Sequence, residues 1–103
     1  MEKAESELRT VALDVLTKLH LAEGLDTLAA ERMKQALRAA AKSWAESDVI
    51  TKSAANLLVD LANSIEASSY TYKDDEAARI RDLAYEVADL VRDCVTVEGG
   101  FDL

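Results

Sequence analysis

Apolar residues recur along the chain at the three- and four-residue steps of an α-helix, in four stretches separated by short polar breaks. In the first stretch Leu8, Ala12, Val15 and Leu19 lie on one face, with Val11 and Leu16 beside them. Gly24 follows where a left-handed residue usually closes a helix, and Asp26 stands in N-cap position for the next. The second face is Ala29, Met33, Ala36, Leu37, Ala40 and Trp44. Ser47 and Asp48 open a break, and Thr51 is a further N-cap candidate. Ala54, Leu58, Leu61 and Ile65 make the third face, flanked by Ala55, Leu57 and Ala62. Residues 68–73 lose the period and read as a loop. Asp74, Asp75 and Glu76 then supply capping and dipole-favoured acids for a fourth helix. Its seam of Ile80, Leu83, Val87, Leu90 and Cys94 steps 3, 4, 3, 4 and is widened by Ala84 and Val91. Gly99 and Gly100 stop it.

No stretch alternates as a strand would. Four helices joined by short connections predict an all-α fold, an antiparallel up-down-up-down four-helix bundle. Residues 1–103 read as one domain, with 98–103 as a flexible tail. In that topology the second and fourth helices lie on a diagonal, so their charges stay apart. Composition agrees with the pattern: 18 Ala, 14 Leu and no Pro among 103 residues favour helix throughout.

The reactive inventory is small. One Cys and one His give no disulfide, no zinc cluster and no His/Cys dyad. His20 falls near the end of the first helix, where a protonated imidazole suits the dipole. Cys94 continues an apolar seam beside Asp93, a setting for a small buried side chain and not for a thiolate. Asp14 and Asp60 are isolated carboxylates. The Glu-x-x-His element of bundle di-metal sites is missing, as is a calcium loop. The expectation is therefore a protein that is not an enzyme and takes no cofactor or metal. The chain opens on acidic, polar residues instead of a secretory leader, and its apolar runs are far shorter than a membrane span. A cytoplasmic protein without membrane contact is expected.

Charge sharpens this picture. The chain has 20 acids and 12 bases, a formal net charge of −8, which disfavours a nucleic-acid partner. Residues 74–103 hold nine of the acids and three of the bases, so −6 of the −8 lies there. At about 100° per residue, Asp75, Asp82, Glu86, Asp89 and Asp93 share a sector of about 60°, turned away from the apolar seam. Lys34, Arg38 and Lys42 step by four along the outer face of the second helix. Tyr70 and Tyr72, projecting together from the loop before the fourth helix, offer rigid apolar area beside the charge. These seven residues, Tyr70, Tyr72 and the five acids, are the expected binding site. A small acidic bundle with loop aromatics suits an immunity or antitoxin protein that neutralises a basic toxin or nuclease-like effector. The alternative is a self-associating scaffold, a homodimer that buries the extra apolar arc of Ala77, Ala84, Ala88 and Val95.

Overall fold

The computed structural model describes residues 3–47 and 49–96. The expected break at Asp48 and the tail 98–103 with its two glycines lie outside them. Four α-helices form: α1 (Lys3–His20), α2 (Thr27–Trp44), α3 (Lys52–Ser68) and α4 (Asp74–Val95), with a turn of 3-10 helix at Ser69–Thr71. The described residues contain no strand.

The predicted apolar faces build the core. Leu8, Ala12, Val15 and Leu19 of α1 meet Met33, Leu37, Ala40 and Trp44 of α2. Leu58, Leu61 and Ile65 of α3 and Ile80, Leu83, Val87 and Cys94 of α4 complete it. Ala36 and Leu90, expected on the apolar faces, are half-buried at its margin.

The starts of α2 and α3 follow the sequence. Asp26 caps α2 by accepting from the Ala29 N–H (3.0 Å), and Thr51 caps α3 by accepting from the Ala54 N–H (2.9 Å). At α4 the three acids occupy the first turn, but the capping position is Lys73, whose side chain makes no capping bond. Asp74 takes a positive φ of 51° there, a conformation that aspartate tolerates better than most residues.

The end of α1 differs from expectation. The left-handed position closing the helix belongs to Ala22 (φ 59°), two residues before Gly24. The Ala22 N–H bonds the Leu19 carbonyl (3.2 Å) and the Glu23 N–H bonds the Lys18 carbonyl (2.9 Å), a Schellman closure on a residue with a Cβ. Gly24 is also left-handed (φ 91°), and a Cβ there would stand 3.3 Å from the Glu76 carboxylate.

The helices alternate in direction along the chain. Thr51, at the start of α3, bonds Glu5 in the first turn of α1, so these two starts share one end of the bundle. At the other end Tyr72, just before α4, bonds both Leu19 and Gly24. The order around the bundle departs from the sequence reading. α1 packs on α2, α2 on α4, α4 on α3 and, more sparingly, α3 on α1. The diagonals are thus α1/α4 and α2/α3, and α2 and α4 are neighbours. The connection from α2 to α3, residues 45–51, is long enough for this. Seven residues reach about 23 Å, whereas the diagonal of four helices about 10 Å apart is roughly 14 Å.

Candidate functional site

The five acids of α4, Asp75, Asp82, Glu86, Asp89 and Asp93, are all exposed. They follow the outward sector because Ile80, Leu83, Val87 and Cys94 hold the opposite side of the helix in the core. Among the described residues, two of them have ion-pair partners. Asp89 lies 3.7 Å from Arg92, one turn along on the same helix. Glu86 accepts from Lys34 of α2 (2.9 Å), which also reaches Glu31 (3.0 Å).

That second contact corrects the diagonal placement of the two charged helices. Because α2 and α4 touch, the Lys34 ammonium is drawn into the seam, with 13% of its side chain exposed. The Glu86 hydrogen bond, then that of Glu31, raises its pKa above the ordinary 10.5. One cation is held between two carboxylates, so the edge of the acidic strip remains negative.

The two tyrosines part company. The 3-10 turn replaces the extended loop that would have aimed them to one side. Tyr70 is left 75% exposed at its tip. Tyr72 is half-buried against the core. Its hydroxyl donates to the Leu19 carbonyl (2.9 Å) and accepts from the Gly24 N–H (3.1 Å). Beside it, Glu76 accepts from the Leu25 N–H (3.3 Å). These bonds tie the α1–α2 turn to the start of α4, so Tyr72 closes the bundle end while Tyr70 remains free for contact.

Sequence periodicity did not reveal the polar cluster between α1 and α3. Glu5 sits at a position that reads as a polar N-terminal turn, yet it is 1% exposed. It accepts from the Thr51 hydroxyl (2.7 Å), and Arg9 lies 3.6 Å away. Arg9 in turn donates to Ser53 Oγ (2.6 Å) and to the Ser53 carbonyl (3.2 Å). The Thr51 hydrogen bond, aided by Ser53 and the Arg9 charge, holds the Glu5 pKa below the usual 4.5 against the opposing effect of desolvation. The i, i+4 spacing of Glu5 and Arg9 was visible, but their partners come from a helix some 45 residues away.

Cys94 is buried, and its thiol donates to the Leu37 carbonyl (3.4 Å). Burial, reinforced by the Asp93 charge, pushes its pKa up to about 11. No group of three or more His, Cys, Asp or Glu among the described residues could hold a metal ion. An open groove of about 450 Å³ between α1 and α2 is floored by Val11 and Ala36 and edged by Glu7, Thr10 and Arg32. It gathers no set of groups aimed at one point. No helix among the described residues is long and apolar enough to cross a membrane. Of the apolar arc expected to drive dimerisation, Ala77 and Ala84 are buried within the bundle, while Ala88 and Val95 are exposed. Comparison of the chain with protein-family models, with curated proteins and with solved structures finds no match.

Proposed function

We infer that this chain is a non-enzymatic protein-binding module whose working surface is the outward face of α4. The supporting observation is the continuous exposure of Asp75, Asp82, Glu86, Asp89 and Asp93 along one side of a helix whose other side is fixed in the core. A rigid helix holds these carboxylates in register. A mainly negative strip of this kind accelerates encounter with a positively charged protein and sets its orientation. Tyr70, exposed beyond the upper end of the strip, supplies apolar contact area that the carboxylates lack. Tyr72 supports that end from within.

The finer reading is an inhibitor of the immunity or antitoxin kind, acting in the cytoplasm. The acids would occupy the cationic groove of a nuclease-like effector where substrate phosphates otherwise bind. It rests on the likeness in charge between a row of carboxylates and the phosphates that such a groove binds, an argument from type.

The test is capture of basic proteins on the immobilised chain, comparing wild type with D82K/D89K/D93K and with Y70A. The charge reversal should abolish capture, and Y70A should weaken it by about tenfold, mainly through faster dissociation. Capture that survives the reversal removes the acidic face as the binding surface. Restored growth on co-expression with a captured toxic effector would support the inhibitor reading; binding without protection would leave a module of another kind.

A further inference from the structure

The neighbouring positions of α2 and α4 place two oppositely charged strips on one face of the bundle. Lys34, Arg38 and Lys42 climb α2 at four-residue steps, and Asp82, Glu86, Asp89 and Asp93 climb α4. Among the described residues only Lys34 and Glu86 bridge them (2.9 Å). Arg38 and Lys42 are exposed, and among the described residues neither has an ion-pair partner. The same holds for Asp82 and Asp93.

α2 and α4 also run in the same direction. A half-turn about an axis parallel to both, lying in this face, sets α2 of one copy on α4 of the other and keeps every height unchanged. The Lys34–Glu86 bond fixes the level. Measured from it, Arg38 and Lys42 lie about 6 and 12 Å further along α2, while Asp89 and Asp93 lie about 4.5 and 10.5 Å further along α4. Arg38 and Lys42 of one copy therefore come level with Asp89 and Asp93 of the other, and the symmetry makes the match twice. Between them α2 presents Ala41 and Ala45, small enough for close approach. The other two-fold, perpendicular to the helices, would oppose α2 to α2 and like charge to like. Above the Lys34 level, Glu31 and Asp82 are at similar heights with the same sign, which confines the match to the lower half of the face.

We propose that a second copy of this chain docks on the α2/α4 face, pairing Arg38 and Lys42 with Asp89 and Asp93 about a two-fold axis parallel to the helices. The association is weak and governed by charge, and it stands independently of the function inferred above. Where both hold, a basic partner competes with the second copy for Asp89 and Asp93.

Sedimentation equilibrium of the full chain at about 20 and about 300 mM salt tests this, since screening acts on exposed pairs over that range. A concentration-dependent dimer is expected at low salt, with its association constant at least about tenfold lower at high salt. R38E/K42E and D89K/D93K should each be monomeric, folded by circular dichroism, and should form a heterodimer when mixed, because each then supplies what the other lacks. A chain that is monomeric at low salt overturns the proposal. So does a dimer that resists salt, survives either reversal, or is lost on V59D or Y85E instead, which would put the contact on exposed apolar residues. The wild-type salt series decides the matter even without the variants. A monomeric result leaves capture of basic proteins untouched, so the two readings fail separately.

Discussion

Ala22 is an alanine in a place that chemistry assigns to glycine. Its φ of 59° brings the Cβ against the backbone, at about 1 kcal/mol relative to glycine. Ala22→Gly should therefore stabilise the protein by roughly 0.5–1 kcal/mol in urea unfolding, unlike most substitutions to glycine. A loss of stability would mean that Ala22 makes contacts outweighing the strain. The sequence showed a helix end here but assigned it to Gly24, because glycine is the visible signal and the closing residue is set by which carbonyls the next N–H groups reach. Tyr72 gives a similar lesson. Its hydroxyl bonds to Leu19 and Gly24, both more than 45 residues away, and no local pattern distinguishes it from Tyr70.

Among the elements, α3 depends most on one side chain. Thr51 caps the helix and also donates to the buried Glu5. Thr51→Ala should cost more than the about 1 kcal/mol of an ordinary cap, because it also leaves a buried carboxylate short of a donor. A cost no greater than that of Asp26→Ala would show the Glu5 contact to be unimportant. The same bond fixes a pH response. The pKa values of Glu5 and Asp26 are lowered in the fold, the latter first by the Lys18 hydrogen bond. Their contribution is present above the unfolded values of 4.5 and 3.8 and is lost as pH falls through the lower folded values. Lys18 and Lys34 are raised, so their contribution is full below 10.5 and lost as pH rises beyond it. Urea midpoints should therefore fall on the acid side below pH 4.5, and E5Q should flatten that limb. An unchanged limb in E5Q would place the acid sensitivity elsewhere. The helices themselves were legible from period and caps. The polar seam between α1 and α3 was not, since a buried Glu and an exposed one look alike until the packing partner is known.

At the level of the whole molecule, the core was readable and the arrangement around it was not. Helical stripes state which side of each helix turns inward, but every square arrangement of four such helices satisfies them. Contacts between outer edges, such as Lys34 with Glu86, distinguish the arrangements, and their contributions are small. The acidic face was therefore found from sequence, whereas its basic neighbour was misplaced. Cys94 offers a probe of the assembled core. With its pKa near 11 and its side chain buried, it should react with a thiol reagent at pH 8 only as fast as the bundle opens. Labelling should accelerate with urea and slow with stabilising substitutions such as Ala22→Gly. Immediate labelling of the native protein would show that the end of α4 separates from α2 on its own.

The span from Trp44 to Lys52 acts as a selector between topologies. At its present length α3 can pass beneath the bundle and settle on the far diagonal from α2. Removal of five residues would leave three Cα–Cα steps between the two helices, a reach of about 10 Å and too short for the diagonal. α3 would then have to lie directly against α2, and Lys34 would lose Glu86 as a neighbour. One deletion, with no change to any buried side chain, would thus convert this bundle into its simpler isomer and pull its positive and negative strips apart.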